Sequence, residues 1–168
     1  MRDLQQYARE CLNELDEIGI EYGNITEFIV NTRAKRRWGL CKTVPGGFQI
    51  SISSILLDER NNEEGLKNTI IHEILHTCKG CLNHKENWKR LANKVNAAYG
   101  YNIKRCSNAE EKGVLEETRP PVPVRQANYF VVCEDCGKTY SRTKKSKLIT
   151  NPGRYRCGVC GGKLFLKK

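Results

Sequence analysis

His72-Glu73-Ile74-Leu75-His76, followed after seven residues by His84, holds all three histidines of the chain. Histidines four apart on a helix project from one face, so both rings can reach a single ion. At about 100° per residue, Leu66, Ile70, Ile71, Ile74, Leu75 and Cys78 fill one broad arc, and His72 and His76 lie nearly opposite its centre. The pattern predicts a helix over about Asn62–Cys78 that buries one side and turns two imidazoles toward a cleft. Three imidazole ligands leave the fourth position of a tetrahedral zinc to solvent, which distinguishes a catalytic zinc from a structural one. Zinc lowers the pKa of water and polarises a carbonyl. Glu73, next to the first imidazole, is the expected general base, taking a proton from water and delivering it to a leaving amine.

The third ligand needs more argument than the first two. His84 lies eight residues beyond His76, whereas the metzincin spacing is six and requires a methionine turn. Met1 is the only methionine, which excludes that class. The Thr77–Asn83 loop, broken at Gly80, can reverse the chain and bring His84 back at the start of the next helix. Glu110 and Glu111 are the remote alternatives. Within the loop, Cys78 reads as a buried residue of the apolar arc and Cys81 as a loop cysteine; a thiolate from either would instead close the site.

Outward from this segment the pattern is that of an α+β protein. Leu4, Tyr7, Ala8, Cys11, Leu12 and Leu15 recur at helical spacing over about Asp3–Ile18, with Asp3 as N-cap and Gly19 past the end. Strand-like pieces follow at Glu27–Asn31, Arg37–Thr43 and Phe48–Ser53, the last two joined by Pro45-Gly46-Gly47 as a hairpin turn. Phe48–Ser53 alternates apolar and polar residues, and an edge strand above the metal helix could pair with an extended substrate. The next helix is expected over about His84–Tyr99, opened by an Asn83-x-x-Glu86 capping box and stopped at Gly100. Periodicity fades after Arg105, and Arg119-Pro120-Pro121-Val122-Pro123 reads as a stiff linker.

Cys133-x-x-Cys136 and Cys157-x-x-Cys160, twenty residues apart, carry the spacing of a zinc ribbon, and Gly137 and Gly161 permit the knuckle turns. Four thiolates leave no open position, so this zinc is expected to be structural and to supply much of the module's stability. Charge is uneven: residues 1–118 hold 17 Lys+Arg and 17 Asp+Glu, whereas 119–168 hold 12 Lys+Arg against Glu134 and Asp135. Arg142, Lys144, Lys145, Lys147, Arg154 and Arg156 cluster around the inter-knuckle loop with Tyr140 and Tyr155. Cations interleaved with aromatics suit phosphate contacts and base stacking, especially on single strands. The sequence offers no base-reading code.

Taken together, these parts resemble the SprT-like metallopeptidases, the family that includes the Spartan DNA–protein crosslink protease. The resemblance runs from about Glu27 to Lys168. It is carried by Trp38-Gly39-Leu40-Cys41, the Phe48–Leu56 strand, His72-Glu73-x-x-His76, His84-x-x-x-Trp88 and the trailing four-cysteine ribbon. It implies a zincin-like peptidase domain, with helices packed on a small three-stranded sheet, over 1–118. A Pro-rich linker over 119–127 and a β zinc ribbon over 128–168 follow. It implies His72, His76 and His84 as catalytic zinc ligands, Glu73 as the catalytic glutamate, and Trp88 as a packing residue. Cys133, Cys136, Cys157 and Cys160 would hold the second, structural zinc.

The expected activity is that of a zinc endopeptidase acting on DNA-associated or DNA-crosslinked proteins, with DNA as the partner of the basic module. A non-catalytic zinc-containing nucleic-acid-binding or regulatory protein is the alternative; a general peptidase without a nucleic-acid role is a third reading. The protein is expected to be a monomer, cytoplasmic and, when DNA-bound, nucleoid-associated. No apolar run approaches a membrane span, and the polar amphipathic start shows no signal peptide. Tyr99, Tyr101, Arg36 and Arg37 are the candidates for stabilising an oxyanion.

Overall fold

A computed structural model describes residues 1–34, 37–121 and 126–167. They divide into two compact units, Met1–Pro121 and Val122–Lys168. Both are mixed α+β, and each carries one three-stranded sheet. Of the Pro-rich stretch, residues 122–125 lie outside those described.

The first unit opens with α1, Leu4–Glu17, whose Asp3 side chain accepts from the Gln5 N–H. This cap satisfies an otherwise orphaned donor, and Leu4, Ala8, Cys11 and Leu15 go into the core. Strands β1 (Ile25–Asn31), β2 (Gly39–Val44) and β3 (Gly47–Ser53) form a sheet in the order β1-β3-β2. β2 and β3 are antiparallel, with Val44 opposite Gly47 across Pro45-Gly46. Gly46, at φ 85°, takes the left-handed position such a turn demands after proline. β1 runs parallel to β3. The Phe48–Ser53 strand is therefore the middle of the sheet and cannot add a substrate strand. Its backbone groups are already taken on both sides, and among the described residues the unpaired edge near the histidine helix belongs to β2.

α2, Glu63–Leu75, is capped by Asn62, whose side chain accepts from the Glu64 N–H. Its apolar arc (Leu66, Ile70, Ile71, Ile74, Leu75) is fully buried. The opposite side is covered too: Asn68, Thr69 and Glu73 are also buried. The covering comes from β2 and from the chain after the next helix, which crosses the start of α2. There the Asn62 N–H donates to Gly113 O at 3.0 Å and the Leu115 N–H to Asn61 Oδ1 at 2.9 Å. Gly65 makes the crossing possible, since a Cβ there would stand 2.0 Å from Lys112 O.

The helix ends at Leu75, three residues short of the Cys78 expected from the apolar pattern, with His76 as its C-cap. The Thr77 hydroxyl explains the stop: it donates to Ile74 O and accepts from the Gly23 N–H, drawing the chain toward the sheet. α3 runs from Glu86 to Tyr99, with Lys85 as N-cap and Gly100 left-handed at its end. The expected capping box at Asn83 is not formed; Asn83 Oδ1 instead accepts from the Lys85 N–H in a tight local turn. His84 consequently lies in the loop before the helix.

In the second unit, β4 (Tyr129–Cys133) is flanked by β5 (Thr139–Arg142) and β6 (Leu164–Lys167), both antiparallel to it. A single turn, α4 (Lys147–Thr150), lies between the two cysteine pairs and buries Ile149. The core is small: Val131, Cys133, Ile149, Cys157 and Leu164. So few apolar side chains would leave a domain of this size marginal without a further staple. Among the described residues, no helix is long and apolar enough to cross a membrane.

Candidate functional site

α2 holds His72 one turn before its C-cap, His76, and the following loop returns the chain so that His84 meets both. His84 Nε2 lies 3.0 Å from His72 Nε2 and 3.1 Å from His76 Nε2. Nitrogens bound about 2.0–2.1 Å from one tetrahedral zinc would stand roughly 3.3 Å apart, close to what is seen. Two of the rings have a backbone partner of their own. His76 Nδ1 is 2.8 Å from Cys81 O, and the Lys104 backbone bonds to His72. A carbonyl can only accept, so Nδ1 of His76 donates to it and Nε2 is the atom offered to a metal. The three nitrogens are spaced as the ligands of a single ion would be. Burial, and secondarily the other two histidines, pushes His72 down to about 3, and burial also lowers His84. Both shifts favour the neutral imidazole, as metal ligation requires. The donor set fits zinc, and the three histidines could hold one metal ion.

Trp88, on the first turns of α3 and 2% exposed, packs its ring 4.6–5.8 Å from all three imidazole centroids. It braces the histidines in one arrangement. The other expected ligands lie elsewhere. Glu111 accepts from Lys104 Nζ and from the Asn108 N–H, and neither it nor Glu110 belongs to the histidine group. Cys78 and Cys81 are both buried among apolar side chains, so Cys81 is a core residue despite its place in a loop.

Glu73 is 7% exposed and faces β2, where Gly39 leaves room for it: a Cβ on Gly39 would lie 2.6 Å from Glu73 Oε1. Burial raises its carboxyl to about 7, against the opposing pull of the Cys41 backbone N–H, Lys112 and Arg37. A group poised there can both take and return a proton near neutral pH. Glu73 and His72 line a cleft of about 280 Å³ that Arg37, Thr69, Lys112 and the Lys104–Ser107 segment also border. Of the residues expected to meet an oxyanion, Arg37 is in this cleft and Arg36 lies outside the described residues. Tyr99 and Tyr101 are elsewhere: their hydroxyls bond to Glu14 and Glu17 of α1. Sequence reading passed over Lys112, because a lysine after two glutamates in a loop carries no positional signal.

In the second unit, Cys133, Cys136, Cys157 and Cys160 converge and could hold a metal ion. Cys133 Sγ lies 3.4 Å from Cys160 Sγ and Cys136 Sγ 3.6 Å from Cys157 Sγ. Thiolates about 2.3 Å from one zinc would be roughly 3.8 Å apart. The cluster is compatible with a zinc ribbon. The Tyr140 hydroxyl, with the Cys160 and Val159 backbone N–H groups, pulls the Cys157 thiol down to about 6. Tyr140 is thus committed to the knuckle, 3.2 Å from Cys157 Sγ, and is not a free stacking platform. The exposed rings are Phe130, Tyr155 and Phe165, each about 40% accessible. Arg142, Lys144, Lys145, Lys147, Arg154 and Arg156 are all exposed.

The SprT-like family profile matches residues 4–107. The chain is similar to Protein SprT-like of Bacillus subtilis (strain 168), at 27% identity over 132 residues, 73% of this chain and 75% of the relative. Protein SprT-like of Staphylococcus aureus (strain JH9) is 28% identical over 115 residues, 66% of this chain and 63% of the relative. Protein SprT-like of Lactococcus lactis subsp. lactis (strain IL1403) is 40% identical over 48 residues, 29% of this chain and 30% of the relative. The match takes in α1, the sheet, the three converging histidines and the segment that borders the cleft, and the chain belongs to the SprT-like family.

Proposed function

We propose that this protein is a zinc-dependent endopeptidase of zincin-like fold that acts on proteins associated with or crosslinked to DNA. The observation that carries the reading is the convergence of three Nε2 atoms beside a buried carboxylate in an open cleft. His72, His76 and His84 would hold the catalytic zinc, which when bound supplies a Lewis acid for the water and the scissile carbonyl. Glu73 accepts the proton of the attacking water and hands it to the amide nitrogen as the bond breaks. Gly39 leaves that carboxylate the room it occupies. Among the described residues β2 pairs only with β3, so its other edge, apart from the Cys41 N–H that meets Glu73, offers an extended substrate backbone donors and acceptors next to Glu73.

In the second unit the four cysteines would bind a structural zinc. The six exposed cations on or beside the inter-knuckle loop support DNA as its partner, through phosphate contacts strengthened by counterion release. Phe130, Phe165 and Tyr155 supply surfaces for bases to stack on. The expected role of the module is a tether that concentrates the peptidase on DNA-bound proteins.

The test is proteolysis of an unfolded DNA-binding protein by zinc-loaded wild type and Glu73→Gln, with and without single-stranded DNA. Cleavage by wild type alone, accelerated by DNA, is expected. Equal products from both proteins would end the peptidase reading, and cleavage indifferent to DNA would end the tether.

A further inference from the structure

The cleft in front of Glu73 is cationic. Arg37, Lys104, Arg105 and Lys112 line it, and Glu73 is its one carboxylate among the described residues. Lys104 is engaged with Glu111. No carboxylate among the described residues lies within 4.0 Å of the charged nitrogens of Arg37, Arg105 or Lys112.

Lys112 differs from the other three. It is 8% exposed, and its Nζ donates to the Thr69 hydroxyl at 2.7 Å, which itself donates to Gly65 O. Thr69 precedes His72 by three residues and Glu73 by four, so all three lie on one face of α2. The ammonium is therefore anchored about one helical turn, roughly 5 Å, from the general base. Its backbone is equally fixed: Gly65 admits Lys112 O against the helix, and Gly113 O accepts from the Asn62 N–H. An ammonium has three donors, and here one neutral hydroxyl answers them. Glu73 and Glu111 act on it only from beyond 4.0 Å, so no carboxylate among the described residues bonds to the buried ammonium, and the open side of the site is where substrate enters.

We propose that Lys112 is a specificity-determining residue: it receives the acidic side chain of a substrate residue adjacent to the scissile bond. This rests on the peptidase reading above. Glu73 repels a carboxylate at the reaction point itself, so the acidic side chain settles one turn away, on Lys112, with Arg37 and Arg105 at the margin of the cleft. The burial of the ammonium suits the tip of a side chain. A phosphodiester carries a sugar on each side and stays at the surface.

The experiment uses matched, end-blocked peptides with Glu, Gln or Lys at each position flanking the cleavage point. kcat/KM is measured for wild type, Lys112→Met, Lys112→Arg and Lys112→Glu. Binding of the same peptides is measured by fluorescence polarisation to zinc-loaded Glu73→Gln, with and without Lys112→Met. Wild type is expected to favour Glu over Gln at one position by tenfold or more, about 1.4 kcal/mol. The ratio falls to near one in Lys112→Met, survives in part in Lys112→Arg, and turns toward Lys in Lys112→Glu. Should the Met variant fail to fold, the Arg and Glu variants carry the comparison.

Equal use of Glu and Gln by wild type, or a ratio that Lys112 does not move, overturns the assignment. So does an oligonucleotide that displaces bound peptide only when Lys112 is present. Cleavage without preference sinks this inference alone. Lys112-dependent binding of the Glu peptide without cleavage upholds it and sinks the peptidase reading.

Discussion

Glu73→Gln should make the metal-free protein more stable at pH 8 and leave it nearly unchanged at pH 4.5. Burial holds the Glu73 carboxyl at about 7 in the folded chain, against an ordinary 4.5. The unfolded chain releases this proton first, so between those two values the folded state binds more protons, and stability falls as pH rises through them. A shift of about 2.5 units at 1.36 kcal/mol each is about 3 kcal/mol. Glutamine has the same shape and never ionises, so the variant escapes this loss. Because Trp38 and Trp88 are the only tryptophans and both lie in the first unit, their fluorescence reports urea unfolding of that unit alone. The expected gap in favour of Glu73→Gln is about 3 kcal/mol at pH 8, closing toward zero at pH 4.5. His72 and His84 are common to both proteins, so their titrations largely cancel in the difference, and the pull of Lys112 on Glu73 is already contained in the Glu73 value. A gap absent at pH 8, or equal at both pH values, would refute the burial argument.

Three further outcomes test separate parts of the account. Gly39→Ala would place a Cβ 2.6 Å from the Glu73 carboxylate; kcat should fall about 100-fold, while zinc content measured by atomic absorption stays the same. Gly65→Ala would drive a Cβ into Lys112 O, a backbone atom next to the Gly113 carbonyl that the Asn62 N–H holds. The first unit should lose about 3 kcal/mol, read as an earlier urea midpoint by tryptophan fluorescence. Neutralising Arg142, Lys144 and Lys145 together should lower the slope of log binding constant against log salt on duplex DNA by about 2.7, near 0.9 for each phosphate no longer neutralised. An unchanged slope would place DNA elsewhere.

Much of this arrangement could be read from the residues because it is local. The His72-x-x-x-His76 pair follows from helical spacing, and α1 follows from Asp3, its apolar stripe and Gly19. The hairpin follows from Pro45-Gly46. What could not be read depends on contacts distant in sequence. β3 is central rather than an edge because β1 pairs with it in parallel, across a separation that no alternation pattern encodes. α2 stops at Leu75 because Thr77 bonds back to the segment before β1. Tyr99 and Tyr101 turn away from the histidines toward Glu14, which lies 85 residues or more upstream. Lys112 joins the cleft only because Gly65 lets a later loop cross α2. Tyr140 reads as a stacking residue among cations, yet its hydroxyl is bound to Cys157.

The central claim is that three imidazoles hold one metal ion and four thiolates a second. Zinc retained per chain after dialysis against a competing chelator measures it directly. Wild type should keep two equivalents, His76→Ala one, and Cys133→Ala with Cys157→Ala one. A wild-type chain that keeps a single equivalent, or a His76→Ala chain that still keeps two, would contradict the account.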